Sequence, residues 1–327
     1  MIIGAIKEHN KSETRCVLTP NVVKKLSQLG HKILLQENIG LNSSFNNIEY
    51  IKAGASLHKS SNPIYTQSQI LLQITPPKPQ TFNLLKETQL LISDFSSFDF
   101  TLITSKPQIL MLEKVPRTSV AQSIDILSSQ HTIRGYMGAM YALYHSKRIA
   151  PQLITASTSI KSTSALVIGA SITGLQATSI FKKQGCKVTI LDIDEKNKEL
   201  AQSVGANFII TKSEQELINL IENQNFIFAS AGNLNNSPKI IHKHLLKYLK
   251  SAPILVDTTK NNIEISKNNK KTNAYIFHRN LNFETLAPIT ASELWANNML
   301  NLLNLIISPD NQLDLSTDYI STMLYKG

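Results

Sequence analysis

Apolar runs of strand length alternate with amphipathic helical stretches from one end of the chain to the other. This alternation predicts parallel β-sheets whose strands are joined by helical crossovers. A long helical pattern from residue 119 to about 148 should connect two domains. In the first half the pattern predicts a helix at residues 21–29, ended by Gly30, and strands at residues 2–6, 33–36, 69–74 and 89–93.

The second half repeats this scheme. A polar stretch at residues 260–273 predicts a loop or weak hairpin, and an amphipathic helix at 290–307 is expected to return to the first domain. The predicted strands are short β-branched runs at residues 165–168, 187–191, 226–229, 254–256 and 275–277.

The fold class that follows is α/β, with two Rossmann-like doubly wound domains joined by long helices and a cleft between them. A length of 327 residues suits two domains of roughly 100–200 residues each. We expect an N-terminal domain at residues 1–125 plus 292–327 and a Rossmann domain at residues 126–291.

Composition narrows the class of protein. Apolar residues make up 42% of the chain and charged residues 17%, and no apolar run approaches the roughly 18 residues of a membrane span. The N-terminus lacks the features of a signal peptide, so we expect a cytoplasmic protein. Cys16 and Cys186 are far apart and form no ligand pattern, which predicts two buried thiols and no metal site.

The net charge of +10 does not predict a nucleic-acid-binding protein. The lysines are scattered among asparagines and isoleucines, whereas a nucleic-acid surface clusters its basic residues. Compositional bias explains the charge, and association with an acidic partner or a membrane-bound subunit remains an alternative.

A glycine-containing turn lies between the predicted strand at 165–168 and a helix at 175–184. In Rossmann domains such a turn, followed by a helix N-terminus, binds the diphosphate of a dinucleotide. Gly169 and Gly174 match the first and third glycines of the pattern, but Ser171 replaces the second. Its Cβ would crowd the diphosphate, although its hydroxyl could donate a hydrogen bond. We predict that Gly169, Ser171, Ile172 and Gly174 bind the cofactor.

An acidic residue ends the next predicted strand. Asp192 stands where a carboxylate usually accepts from both hydroxyls of the adenosine ribose, and it would repel the 2′-phosphate of NADP. The cofactor predicted is therefore NAD(H). Asp194 is the competing candidate, and a Rossmann-like domain that binds no nucleotide is the alternative.

A second polar segment lies at residues 115–136, where the connecting helix begins. Arg117, Gln122, Asp125 and Ser128 are unusually polar for a stretch packed between domains. One interpretation is a binding surface on one face of the helix. The other is helix capping by Thr118 or Ser119 with a solvated polar face.

This segment resembles the signature of the alpha subunits, the NAD-binding components, of proton-translocating nicotinamide nucleotide transhydrogenases, to which the alanine dehydrogenases are related. Residues 4–8, 13–15, 19–20, 29–31 and 286–300 are also similar to that superfamily. The resemblance implies that Arg117, Gln122, Asp125 and Ser128 position the nicotinamide and its carboxamide, and that Asp192 binds the ribose. Ala231 and Gly232, in the family's mobile-loop region, are further cofactor-binding candidates.

The two related reactions make different demands on the protein. An alanine dehydrogenase needs cationic anchors and a general acid/base beside the nicotinamide. By alignment of motifs its lysine, histidine and aspartate would fall on Thr75, on about Ser96 and near Asn261, none of which is suitable. Only Arg15 remains, either as a carboxylate anchor or as a structural arginine.

Transhydrogenation moves a hydride between two nicotinamides, so it needs orientation and exclusion of water rather than an acid/base group. The resemblance thus implies an NAD(H)-binding subunit that presents NADH to NADP⁺ on a partner subunit. It also implies that the chain forms a homodimer, as in that family. Membrane subunits would complete the assembly and would hold this cytoplasmic chain at the inner membrane.

The chain departs from the family pattern in two places. Residues 258–262 replace a glycine pair, and Pro238 and Lys239 are what remains clearly of the mobile-loop motif. Two alternatives therefore stay open, namely a diverged NAD-dependent amino-acid or imine dehydrogenase and a non-catalytic NAD-binding paralogue.

Overall fold

Two parallel six-stranded sheets organise the described portion of the chain. The computed structural model describes residues 1–103, 107–116, 118–232, 236–265, 275–280 and 282–326. Contacts divide the chain into unit 1, which is Met1–Gln130 with Thr285–Gly327, and unit 2, which is His131–Glu284. The domain boundaries predicted from the sequence lie between residues 125 and 126 and between residues 291 and 292.

The elements follow one another in the alternating order that the sequence predicted. The strands are β1 (Ile2–Ala5), β2 (Lys32–Gln36), β3 (Ala55–His58), β4 (Ile70–Leu72), β5 (Leu90–Ser93), β6 (Gln108–Met111), β7 (Leu153–Ile154), β8 (Ser159–Ile160), β9 (Ser164–Ile168), β10 (Lys187–Leu191), β11 (Asn207–Ile209), β12 (Phe226–Ala229), β13 (Ile254–Asp257) and β14 (Ile276–Arg279). The α-helices are α1 (Pro20–Gln28), α2 (Asn47–Lys52), α3 (Asn62–Gln67), α4 (Ile126–His145), α5 (Ile172–Lys183), α6 (Lys198–Ser203), α7 (Glu214–Ile221), α8 (Pro288–Ile306) and α9 (Asp318–Ser321).

The sheet of unit 1 has the strand order β3-β2-β1-β4-β5-β6, and every adjacent pair is parallel. The order reverses between β1 and β4, as it does in a doubly wound sheet. Helix α8 belongs to this unit, where the sequence placed the helix at 290–307. It buries Trp295, Met299 and Leu303 in the same core cluster as strands β1, β2, β4 and β5.

The sheet of unit 2 repeats the topology in the order β11-β10-β9-β12-β13-β14. All four residues of β12 are buried, with Phe226 and Phe228 in one core cluster and Ile227 and Ala229 in another. Burial on both faces explains why the sequence of β12 is a continuous apolar run without alternation. A separate antiparallel ladder joins β7 to β8.

The predicted continuous helix from 119 to 148 is wrong at its start. A 3-10 turn occupies Val120–Ile124, the chain leaves helical geometry at Asp125 (ψ 82°), and only then does α4 begin. Helix α4 ends at His145. The predicted loop at 260–273 lies partly outside the described residues.

Cys16 and Cys186 are free and buried, as the sequence predicted, and burial raises the pKa of both thiols. Within the described residues no helix combines the length and apolar character needed to cross a membrane. The same portion of the chain contains no group of three or more His, Cys, Asp or Glu side chains placed to hold a metal ion.

A histidine pair in unit 2 gives its stability a pH dependence. The ring of His278 on β14 lies 4.7 Å from the ring of His145 and 4.8 Å from that of Tyr141, both on α4. Burial lowers the pKa of His278 from 6.5, and the charge of His145 lowers it further. The unfolded chain therefore binds this proton more readily than the folded chain. We expect the free energy of unfolding to be undiminished above pH 6.5 and to fall as the pH drops below that value.

Urea unfolding at about pH 7.5 and about pH 5.5 measures this loss. The variant His278→Phe removes the titrating group and keeps a ring, so its unfolding free energy should change less between the two conditions. An equal change in both proteins would show that His278 does not carry the effect.

Candidate functional site

The predicted glycine turn lies between β9 and α5, at the carboxyl end of the sheet of unit 2. Gly169 has φ +94°, and a Cβ there would lie 2.7 Å from the Cα of Ala231. At Gly174 a Cβ would lie 2.0 Å from the carbonyl oxygen of Gly169. The backbone conformation and the close approach of α5 therefore require glycine at these two positions.

Ser171 caps helix α5. Its Oγ accepts from the backbone N–H of Gly174 at 3.1 Å and donates to Oγ of Ser230 at 3.1 Å. The hydroxyl of Ser171 therefore hydrogen-bonds within the protein at the start of α5. The backbone N–H groups of Ile172 and Thr173 fall in the first turn, where an α-helix has no acceptor of its own to offer them. These donors and the helix dipole make the turn suitable for an anion.

The cap at Ser171 has a measurable energy. Ser171→Ala removes the acceptor for the N–H of Gly174, and we expect it to lower the free energy of unfolding by about 1 kcal/mol. Ser171→Gly should lower it by only about a few tenths of a kcal/mol, since glycine is itself tolerated at N-caps. Urea unfolding of the two variants gives this order. Equal losses would mean that the hydroxyl does not cap α5.

Asp192 follows β10 and contacts the glycine turn directly. Its Oδ2 accepts from the N–H of Ala170 at 2.6 Å, and its Oδ1 accepts from the N–H of Asp194 at 2.9 Å. Each oxygen keeps further acceptor capacity. Asp194 is exposed and accepts from the N–H of Lys196 in the following turn. Of the two candidates from the sequence, Asp192 is thus the one fixed beside the turn.

Asn262 holds Ala231 by both backbone groups, and the sequence analysis did not identify it. The side chain is fully buried, with Oδ1 accepting from the N–H of Ala231 at 2.8 Å and Nδ2 donating to its carbonyl at 3.0 Å. Nδ2 also donates to the carbonyl of Pro238 at 2.8 Å. Gly232 follows with φ +82°. Asn262 belongs to the stretch 258–262 that replaces the family's glycine pair, so no motif of the family marks this position.

The turn that carries Asn262 is fixed by Asp257, which is fully buried at the end of β13. Oδ1 of Asp257 accepts from the N–H and hydroxyl of Thr259 at 2.9 and 2.7 Å, while Oδ2 accepts from Nη2 of Arg279 at 2.8 Å. Asn261, the position aligned near the catalytic aspartate of alanine dehydrogenases, donates its N–H to Oγ1 of Thr259 at 3.4 Å. The hydrogen bonds of this loop fix its conformation, and residue 261 is not an acid.

The second predicted segment belongs to unit 1 as far as Gln130, and the glycine turn belongs to unit 2. Asp125 accepts from the N–H of Ser128 at 2.9 Å and from its hydroxyl at 2.5 Å, so it caps α4. Capping by Thr118 or Ser119 is wrong, because Ser119 precedes the 3-10 turn without a side-chain cap and Asp125 performs the capping of α4. Gln122 is exposed. Arg117 lies outside the described residues.

Arg15 is a structural arginine. Its guanidinium donates to Oε1 and Oε2 of Glu13, both at 2.7 Å, and to Oε1 of Gln130 at 2.9 Å. It also lies over the ring of Trp295, 5.3 Å from the centroid. Both Arg15 and Glu13 are 7% exposed. The charge of Arg15 is therefore paired inside unit 1.

The other two positions aligned with alanine dehydrogenase residues also have local roles. Thr75 donates its hydroxyl to Glu8 at 2.5 Å, and Ser96 donates its hydroxyl to Asp94 at 2.5 Å. Neither side chain can replace a lysine ammonium or a histidine imidazole in acid/base chemistry.

Comparison with known proteins assigns both halves of the chain to related models. Residues 4–134 match "Alanine dehydrogenase/PNT, N-terminal domain", and residues 138–326 match "Alanine dehydrogenase/PNT, C-terminal domain". An NAD(P) transhydrogenase alpha-subunit chain of Rickettsia prowazekii is 26% identical, over 99% of this chain and 94% of that protein. The NAD(P) transhydrogenase subunit alpha of Haemophilus influenzae is 26% identical, over 94% of this chain and 66% of that protein.

Among solved structures, the transhydrogenase from Sinorhizobium meliloti superposes with a TM-score of 0.90. Its sequence is 24% identical, and the match covers 99% of this chain and 98% of that one. The predicted fold of two doubly wound α/β domains is therefore confirmed.

Proposed function

This chain belongs to the alanine dehydrogenase/PNT family, and from that premise we propose that it binds NAD(H) as a subunit of an NAD(P) transhydrogenase and presents NADH to NADP⁺ on a partner subunit. The observation that carries the proposal is the contact between the Asp192 carboxylate and the N–H of Ala170 in the glycine turn. This contact supports the proposal, because a dinucleotide needs a carboxylate for its ribose beside a turn that binds its diphosphate.

The diphosphate of NAD would lie at the N-terminus of α5, where the first-turn N–H groups offer donors. The adenosine ribose would bind Asp192, whose carboxylate disfavours the additional phosphate of NADP. Ile193 follows it with 92% of its surface exposed, which offers an apolar contact to the adenine. Ala231 and Gly232, held in place by Asn262, would approach the rest of the dinucleotide.

The nicotinamide end would be positioned by Arg117, Gln122, Asp125 and Ser128. Asp125 and Ser128 are already ordered by their mutual hydrogen bonds, and Gln122 presents an exposed amide. NAD(H) supplies the hydride, so the protein's role is to orient the ring and exclude water. No proton donor or acceptor is needed at the reacting carbons.

The alanine dehydrogenase alternative is less well supported. It needs a free cation for the substrate carboxylate, and Arg15 is paired with Glu13. It also needs acid/base groups, whereas the aligned positions hold Thr75, Ser96 and Asn261. A non-catalytic NAD-binding paralogue is the other alternative, and an assay of hydride transfer distinguishes it from a transhydrogenase subunit.

The partners in this proposal are an NADP-binding subunit, membrane subunits and a second copy of the chain, with the protein in the cytoplasm beside the inner membrane. The β7–β8 ladder supports a homodimer, because an isolated two-stranded ladder is only marginally stable in water. It also leaves large apolar side chains exposed, with Ile154 at 72%, Ile160 at 46% and Leu153 at 42%. Sedimentation of the purified chain tests the dimer.

The test of function mixes the purified chain with NADH and an NADP-binding partner component, and follows reduction of an NADP analogue by its absorbance. Transfer should require both proteins, and pyruvate with ammonium should not be reduced. Turnover of an oxo acid without transfer would overturn the proposal in favour of the dehydrogenase. NADH binding without either reaction would favour the non-catalytic paralogue.

Two exposed glutamines provide a matched pair of variants. Gln122→Ala should slow hydride transfer and leave the free energy of unfolding unchanged, because its side chain is exposed. Gln202→Ala, on α6, should change neither. A loss of stability in Gln122→Ala that matches its loss of activity would instead indicate a packing role.

A further inference from the structure

Unit 1 contains a crevice at the point where its strand order reverses. The loops after β1 and β4 separate there, and in open α/β sheets ligands bind outside the carboxyl ends of the strands at such a point. The crevice has a volume of about 320 Å³, which is within the range of small-molecule sites. Lys7 and Glu8 line it after β1, and Gln73 lines it after β4.

Three basic side chains line this crevice, namely Lys7, His9 and Lys78, and the two lysines are charged at neutral pH. Burial lowers the pKa of His9, and the charge of Lys78 lowers it further, so these two side chains are close enough to interact. Among the described residues neither Lys7 nor Lys78 has a carboxylate partner within salt-bridge distance. The lining therefore carries positive charge that a bound anion would neutralise.

Gln73 lines the crevice with its side-chain amide. Its side chain belongs to a residue that is only 2% exposed, and its Oε1 accepts from the hydroxyl of Tyr65 at 3.3 Å. Within the described portion of the chain its Nε2 has no acceptor. The amide N–H groups are therefore available to an acceptor bound in the crevice. Ser61, which also lines the crevice, has a hydroxyl that makes no cap at the start of α3.

Glu8 lies in the same wall and is held firmly. Its carboxylate accepts from the N–H of Ile74 at 2.7 Å, and from the N–H and hydroxyl of Thr75 at 3.1 and 2.5 Å. Burial nevertheless raises the pKa of Glu8 to about 7, and the charge of Glu13 adds to this. A protonated Glu8 can donate to an anionic oxygen, whereas an ionised Glu8 repels it.

We infer that this crevice binds a small hydroxylated oxyanion, a phosphate monoester or a hydroxycarboxylate of about three carbons. The ammonium groups of Lys7 and Lys78 recognise the anionic group, and the side chains of Gln73, Ser61 and Thr81 accept from and donate to the hydroxyl groups. The site lies within unit 1 and is separate from the glycine turn of unit 2. It does not depend on the function proposed above.

Calorimetric titration of the full chain tests the inference with glycerol 3-phosphate, glycerate and uncharged glycerol as probes. NADH is included so that the probes do not bind at the glycine turn. One or both anions should bind with a dissociation constant of millimolar or below, and glycerol should bind at least tenfold more weakly. Which anion binds identifies the group that the site recognises. No binding of either anion, or equal binding of glycerol, would overturn the inference.

A matched pair of variants places the binding in the crevice. Lys78→Met keeps the aliphatic stem and removes the charge, so it should weaken anion binding at least tenfold. Lys24→Met makes the same change on the exposed surface of α1, away from the crevice, and should leave binding unchanged. Equal effects of the two variants would indicate attraction by net charge alone and would contradict the inference. This comparison is valid even if NADH does not bind.

The pH dependence of the affinity gives an independent readout. Binding should weaken as the pH rises through about 7, where Glu8 loses its proton. The other titratable or charged groups near Glu8 are Lys7, Glu13, Tyr65, His9 and Lys78. Glu8→Gln should remove the component of the pH dependence centred near 7 and leave the component due to His9 at lower pH. An unchanged profile would place the anion away from Glu8.

Discussion

Replacing Gly174 by alanine should destabilise unit 2 by about 2–3 kcal/mol and weaken NADH binding more than tenfold. The added Cβ would lie 2.0 Å from the carbonyl oxygen of Gly169 and 2.7 Å from Oγ of Ser230. The first neighbour is backbone at the end of β9, so it cannot rotate away. Helix α5 would have to move off the turn, and its N–H groups would no longer converge on the diphosphate.

Urea unfolding followed by circular dichroism measures the loss of stability, and NADH fluorescence measures the affinity. Trp295, the sole tryptophan, lies in unit 1, so its fluorescence reports on that unit separately. Gly30→Ala is the control, because Gly30 has φ +83° but no atom within 4 Å of an added Cβ. It should cost about 1–2 kcal/mol from backbone strain and leave NADH affinity unchanged. Full NADH affinity in Gly174→Ala would refute the role of this close approach.

Glu284→Gln should cost about 3–5 kcal/mol, the largest effect that we expect from a single side chain. Glu284 is 2% exposed. Its carboxylate accepts hydrogen bonds from Nε and Nη2 of Arg134 at 3.0 and 2.8 Å. The variant leaves a buried guanidinium beside a neutral amide. Removing one member of such a pair costs more than the pair contributes, because the remaining charge stays desolvated.

The double variant Arg134→Met with Glu284→Met tests that explanation. Without either charge, most of the lost stability should return, and a double-mutant cycle by urea unfolding measures the coupling. Glu264→Gln removes a carboxylate from an exposed pair with Lys239, and we expect no measurable change. If Glu264→Gln were as damaging as Glu284→Gln, burial would not be the cause.

The fold could be predicted where local pattern and tertiary environment agree. Strands β10 and β12 have the predicted bounds, and β12 is a continuous apolar run because it is buried on both faces. Strand β3 was missed, since its sequence Ala55–His58 is only partly buried and contains serine and histidine. The start of α4 was misplaced because the residues before Asp125 have helical periodicity but form a 3-10 turn.

The candidate site divides in the same way. Gly169, Gly174 and Asp192 were identified because the spacing that joins them is local and reflects the geometry of one βαβ unit. Asn262 and Gln73 were not identified from the sequence, because the groups that they contact come close only in the folded chain. A buried amide has no spacing rule in the sequence.

The ion pair of Arg134 and Glu284 also bears on how this protein can be taken apart. Unit 2 is one uninterrupted stretch of chain, and this pair joins residues near its two ends. In unit 1, Nε2 of Gln130, the last residue before that stretch, donates to the carbonyl of Ala291 near the start of α8 at 3.0 Å. Excision of unit 2 would leave both sheets whole but would cut α4, because the units divide inside that helix, so we expect the separated module to need a new N-terminal cap for the rest of α4.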